Sequence, residues 1–230
     1  MSARCLLYDG PMLPLNRLFL SGLSVAACLL AQNAPTLEND QVRVLTVTDQ
    51  PHAKTALHEH KLNRVMVYLQ AGQQEIISQD GKKTTLKFKA GDVKWSPASG
   101  MHTSEITSAA PVSLIELEVK KPGDPSKTAT TALDPVKLSP KVYKVEFEND
   151  QVRVMRVRFG AHEKVPQHEH VLNRVVVYLT DQHSKLTTPD GKTDDSQHTP
   201  GQVSWGGPAK HVEENLLDKP IDVLVIEFKS

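Results

Sequence analysis

The sequence predicts an all-β protein made of two copies of one small barrel or sandwich. Three observations predict it. The chain repeats itself at a shift of 110 residues, its apolar residues alternate with period two, and Asp-Gly pairs punctuate the alternating runs. "ENDQVRV" at 38–44 returns at 148–154, and "HEHKLNRV" at 58–65 returns as "HEHVLNRV" at 168–175. Tyr68-Leu69, Asp80-Gly81, Gly91 and Trp95 meet Tyr178-Leu179, Asp190-Gly191, Gly201 and Trp205. One residue is then lost from the second copy, so His102 meets His211 at a shift of 109, and "IELEVKK" falls near "LVIEFKS".

Residues 1–31 stand apart from this pattern. "NRLFLSGLSVAACLLAQ" (16–32) places Arg17 before a short apolar run that ends in small residues, the layout of an export signal. The run is too short to span a bilayer, so no transmembrane span is expected once it is removed. Cleavage after Ala31 is preferred. Lipid attachment at Cys28 is the rival, and Leu29 and Leu30 after the cysteine count against it. The expected location is periplasmic or secreted. Cys5 and Cys28 are the chain's two cysteines, so the mature protein has no disulfide and no thiol chemistry.

The first copy occupies 35–120 and the second 141–230. Within them "VRVLTV", "TLKFK", "LIELEV" and "VLVIEF" alternate or run β-branched, as strands do. Asp80-Gly81 and Asp190-Gly191 mark hairpin turns, because glycine accepts the positive φ such turns need. Between the copies, 121–140 is rich in Pro, Thr and Lys without a periodic apolar face and is expected to be a linker. At 39% hydrophobic and 23% charged, the composition is ordinary for a globular chain. The formal net charge of zero offers no basic excess for a nucleic-acid backbone, so nucleic acid is not an expected partner.

Eight of the ten histidines pair across the repeat: His52 with His162, His58 with His168, His60 with His170, and His102 with His211. On a strand His58 and His60 share a face, as do His168 and His170. Two imidazoles on one face can hold one metal ion, with His102 or His211 as the third ligand. His52 and His162 are expected to be structural. Glu105 and Glu214, three residues after the third histidine of each copy, fall on the opposite face and are expected at the surface. Trp95, Trp205, Tyr68 and Tyr178 are expected to pack, and Asn63 and Asn173 to shape a turn.

These residues resemble the cupin family, and the whole mature chain resembles a bicupin. His58-Glu59-His60 matches the His-x-His of the family's first motif. Gly91, Pro97 and His102 match its second, with Gly100 one place late. His168-Glu169-His170, Gly201, His211 and Asn215 match in the second copy, with Pro208 displaced by one. The resemblance implies two tandem double-stranded β-helix (jelly-roll) barrels. It also implies a divalent transition metal, iron, manganese, zinc, nickel or copper, held by His58, His60 and His102 and again by His168, His170 and His211.

Two departures matter. The family's glutamate falls on Arg64 and Arg174 or on Val65 and Val175, and His52 and His162 stand where the motif has its first glycine. The expected site is therefore three neutral imidazoles and no carboxylate. Inward arginines would favour an anionic ligand through their planar fork. Outward ones would pair with surface acids such as Glu59 and contribute little. The resemblance implies a small-molecule ligand, with a metal-dependent oxygenase or decarboxylase weighed against a non-catalytic module that binds a sugar or organic acid. A homo-oligomer paired through strand edges is an open expectation.

Overall fold

The computed structural model describes residues 34–230, so the leader expected at 1–31 lies outside the described residues. The first half carries β1 (Leu37–Glu38), β2 (Val42–Asp49), β3 (His58–His60), β4 (Asn63–Tyr68) and β5 (Gly72–Ser78). It continues with β6 (Lys83–Phe88), β7 (Val93–Ser96), β8 (Ser99–Ile106) and β9 (Val112–Val119). A one-turn helix, α1 (Pro135–Leu138), precedes the second half. That half repeats the set as β10 (Tyr143–Glu148), β11 (Val152–Phe159), β12 (Lys164–His170), β13 (Arg174–Tyr178) and β14 (Gln182–Thr187). It ends with β15 (Thr193–His198), β16 (Val203–Gly206), β17 (Ala209–Asn215) and β18 (Ile221–Phe228).

Each half folds two antiparallel sheets against one another. The five-stranded sheets run β1-β2-β9-β4-β7 and β10-β11-β18-β13-β16. The four-stranded sheets run β3-β8-β5-β6 and β12-β17-β14-β15. The orders correspond strand for strand, so the sequence repeat is a repeat of topology. Among the described residues no helix is long and apolar enough to cross a membrane.

Period-two burial separates two faces of each large sheet. On β18, Val223, Val225 and Glu227 face the barrel interior, where the two valines pack with Met155, Val157, Phe159 and Tyr178. Leu224, Ile226 and Phe228 face the other way, and on β9 Ile115, Leu117 and Val119 do the same. With Val42, Val44, Val65, Val67, Val152, Val154, Val175 and Val177 these residues form one core shared by both halves. Contacts across it are reciprocal. Asn63 donates to Gln151 Oε1, and Asn173 donates to Gln41 Oε1 at 2.7 Å. A side chain at Gly91 would meet Leu179, and one at Gly201 would meet Leu69. Asn63 meets Asn173, and Gln41 meets Gln151, across the repeat. The halves thus associate as two copies about a local two-fold axis, with the same patch used on both sides. A cleft of about 740 Å³ lies along this seam between Gly91, Arg156, Leu179 and Gly201. There Arg156 is held by Glu146 and Asp222, and Arg158 by Asp222.

The connecting segment carries more structure than its composition suggests. Asp134 caps α1 by accepting from the Val136 amide at 3.1 Å, with Pro135 at the first helical position. Its carboxylate also takes both bonds of a buried pair with Arg153, at 3.0 and 3.1 Å. Arg153 reaches the Ala129 carbonyl as well, at 3.2 Å.

Candidate metal centres

The structure gathers each expected histidine triad. β3 pairs with β8 so that His58 stands opposite His102, and β12 pairs with β17 so that His168 stands opposite His211. His60 and His170 lie two residues on, on the same faces. Within each of the two sets, one ligand atom per residue lies within 4.8 Å of the others. Ring centroids are 4.5–5.2 Å apart in the first set and 4.5–5.7 Å apart in the second.

Local hydrogen bonds set which nitrogen points inward. His58 gives its Nδ1 proton to the Ala56 carbonyl at 2.8 Å, His102 to Gly100 at 2.8 Å, and His168 to Pro166 at 3.1 Å. Each bond uses the carbonyl two residues earlier and leaves Nε2 as the acceptor nitrogen, which in His168 takes the Tyr143 hydroxyl. His170 gives its Nδ1 proton to Glu227 Oε1 at 2.8 Å, a carboxylate only 1% exposed. In the first half His58 Nε2 comes within 3.1 Å of His60 Nε2. Two inward lone pairs this close repel unless a proton or a cation lies between them. The donor set fits a divalent transition metal in both halves.

Burial reinforces the same state. It pushes His60 down to about 3 and His211 to about 2, and it lowers His168 and holds His170 well below the usual range. The charge of Arg174 adds to the depression of all three second-half imidazoles, and Arg64 does the same to His60. Neutral imidazole is the form that binds metal.

The surroundings correct one expectation. The centres do have carboxylates nearby, supplied by the last strand of each half rather than by the histidine motif. In the first half His60 groups with Glu116 and Glu118, with His60 Nδ1 and Glu116 Oε1 at 3.8 Å. In the second half Glu227 holds His170, and burial raises its carboxyl to about 7. Glu213, two residues after His211, was also missed. Tyr143 lies 3.1 Å from His168 Nε2. Burial raises the Glu213 carboxyl, and Gln182 Nε2 donates to its Oε1 at 3.5 Å. The matching position in the first half is Ser104, so this group exists in one barrel only.

Both arginines are buried, which excludes the outward arrangement with Glu59. Arg64 is 7% exposed, pairs with Glu116 at 3.2 Å and donates to Ser96 Oγ at 3.0 Å. Arg174 is 9% exposed and donates through Nη1 to the Gly207 carbonyl. His52 and His162 take positive φ of 59° and 54° and are exposed, which explains their place at the motif's first glycine. Glu105 and Glu214 are partly exposed beside His52 and Lys164. Tyr68 stacks on Phe88 and Tyr178 on His198. Trp95 packs on the shared core, and Trp205, 37% exposed, stacks on Phe228.

No family model and no curated protein matches the chain. Solved structures do. A cupin domain from Bordetella pertussis Tohama I is 29% identical over 39% of this chain and 93% of that one, with a TM-score of 0.37. AerE from Microcystis aeruginosa is 12% identical, covering 83% of this chain and 88% of that one, with a TM-score of 0.59. Oxalate decarboxylase from Lactobacillus farciminis, solved with formate, is 13% identical, covering 84% and 78%, with a TM-score of 0.56. The fold is shared with AerE and the oxalate decarboxylases, and it agrees with the cupin-like fold that the sequence resemblance implies. Its two barrels in one chain make it bicupin-like.

Proposed function

We propose that the chain is a metal-dependent bicupin that binds a divalent transition metal in each half and acts on a small organic molecule. Oxygenase or decarboxylase chemistry is preferred. The observation that carries this is the hydrogen bonding of His58, His102, His168 and His170. Each ring gives its Nδ1 proton outward and keeps Nε2 as its donor atom, and in each barrel one nitrogen per ring lies within 4.8 Å of the others. A bound divalent ion supplies Lewis acidity and open coordination positions beside three neutral ligands. Around it, His58, His60 and His102, or His168, His170 and His211, hold the donor geometry. In the second barrel Tyr143 places a hydroxyl 3.1 Å from His168 Nε2, and Glu213 stands two residues after His211 on the same strand. The fold likeness to oxalate decarboxylases, one of them described with Mn(II) centres, supports a manganese-type site without fixing the ion.

A non-catalytic module that captures a small ligand is the second reading. The first barrel favours it for that half, because its arginines are paired and no raised carboxyl matches Glu213. Export to the periplasm or beyond is part of the proposal and rests on the leader-like residues 16–32. Elemental analysis of untagged mature protein, beside a His58→Ala/His168→Ala variant, tests the reading. About two ions per chain are expected, falling to near zero in the variant. Wild-type protein that stays metal-free after reconstitution would overturn it.

A further inference from the structure

The two barrels carry the same arginine in different company. Arg64 and Arg174 match at a shift of 110, and each sits on the strand that follows the His-x-His. Both ends of the Arg64 fork are taken from within, Nη1 by Glu116 and Nη2 by Ser96. Strand register identifies the matching positions in the second half. Arg64 stands opposite Ser96 as Arg174 stands opposite Gly206, and Met66 stands opposite Glu116 as Val176 stands opposite Val225. Serine has become glycine and glutamate has become valine, so both partners are gone. Among the described residues no carboxylate lies within 4.0 Å of Arg174, and its one hydrogen bond runs to the Gly207 carbonyl.

A guanidinium this buried is costly to leave without an anion. Its free donors are not sealed, however. Arg64 Nε and Arg153 Nε are fully enclosed without partners, and no nitrogen of Arg174 shares that condition. A ligand can therefore reach it. Gly206 gives the fork its room, since a Cβ there would come within 3.1 Å of the Arg174 Cζ. Glu227 is taken up by His170 at 2.8 Å and Glu213 by Gln182 at 3.5 Å, so neither pairs with Arg174.

We infer that the two centres are not equivalent: Arg174 receives the carboxylate of a small anionic ligand in the second barrel, whereas Arg64 is closed to ligand by Glu116 and Ser96. This deepens the metal-centre reading and rests on it. The ligand spans the fork of Arg174 and the open side of the His168, His170 and His211 set. The first barrel holds its histidines in the same way but presents no free donor fork.

Acetate is the probe, with acetamide as its neutral counterpart. Binding is followed by calorimetry on chains reduced to one centre, His58→Ala/His60→Ala for the second and His168→Ala/His170→Ala for the first. Acetate is expected to bind the second-centre chain about ten-fold or more tightly than the first-centre chain, and acetamide neither. Arg174→Gln should remove that preference, and Val225→Glu should do so by restoring an internal partner. Ser96→Gly/Glu116→Val should confer acetate binding on the first centre, a gain that misfolding cannot mimic. Equal acetate affinity in both centres, or affinity untouched by Arg174→Gln, would overturn the inference. Metal content is measured on the same samples. If no metal is present, the metal-centre reading has failed, and acetate titrated onto metal-free wild type and Arg174→Gln decides the arginine's role by itself.

Discussion

At the scale of single residues, each histidine triad leans on groups outside its own motif: Glu227 accepts from His170 at 2.8 Å, and Glu116 lies 3.8 Å from His60. His58, His60, His102 and their partners emerge because the repeat acts as a filter that retains paired histidines. Glu213 fails the same filter, since its counterpart is Ser104, while the matched Glu105 and Glu214 pass it and lie on the wrong face. Glu116, Glu118 and Glu227 sit in runs that read as apolar strands, and only a register comparison of "IELEVKK" with "LVIEFKS" would have drawn them out. The depressed histidines have a measurable consequence in metal-free protein. The unfolded chain protonates its histidines as pH falls through about 6.5, while His60 and His211 in the folded chain wait until about 3 and 2. The unfolded state therefore binds more protons in that window, and stability is lost progressively as pH falls below 6.5. Glu227 opposes this between its unfolded value of 4.5 and about 7, where the folded chain is the better proton binder. The decline should be shallow down to pH 4.5 and steeper below it, by about 1.4 kcal/mol per pH unit for each extra proton. Urea midpoints from pH 7 to 3.5 measure it. His60→Gln/His211→Gln should flatten the acid limb by roughly two protons, and an unchanged slope would count against buried neutral rings.

At the scale of elements, the alternation of β9 and β18 explains why one strand serves two purposes. Odd-numbered positions of β18 line the barrel and bring Glu227 to His170, while even-numbered positions build the shared core. Period-two patterning made these strands legible, but it could not assign either face to a barrel interior or to the other half. The connecting segment was the least legible element. The pair Asp134-Pro135 is a helix-start signature in the sequence, yet nothing local announces that the same carboxylate will close over Arg153. In the first half the matching Arg43 takes Glu118 at 2.7 Å. In the second, Asp134 takes that part and leaves Glu227 Oε1 free for His170, with Arg153 no nearer to Glu227 than 3.8 Å. Asp134→Ala strands a guanidinium that is 2% exposed and also removes the α1 cap. A loss of about 3–5 kcal/mol is expected from breaking such a pair, read as a fall in denaturation midpoint. Metal affinity at the second centre should weaken too, because Arg153 would then compete with His170 for Glu227. A variant as stable as wild type would show that the segment is only a tether.

At the scale of the whole molecule, the two halves behave as a dimer written into one chain. The reciprocal Asn63–Gln151 and Asn173–Gln41 bonds, and the crossed approaches of Gly91 to Leu179 and Gly201 to Leu69, are what an isologous interface requires. The repeat made the two barrels legible. Their mode of packing was not, because the valines of Val42-Arg43-Val44 and Val152-Arg153-Val154 look the same whether they fill a barrel or a seam. Since fourteen residues drawn from both halves form a single buried cluster, neither large sheet can open without exposing the other. Leu117→Ala in the first half or Ile226→Ala in the second should each cost about 2–5 kcal/mol, the range for large-to-small changes in a packed core. Each should lower the melting temperature of the entire molecule rather than of the half that carries it. Calorimetry checks this: one transition whose calorimetric and van't Hoff enthalpies agree is expected for wild type and both variants. Two separated transitions, with only the substituted half shifted, would mean that the barrels fold independently and that the seam is a contact between finished domains. A single transition would tie the centres together, since loss of packing at Leu117 would then release metal from His168, His170 and His211 as readily as from the first set.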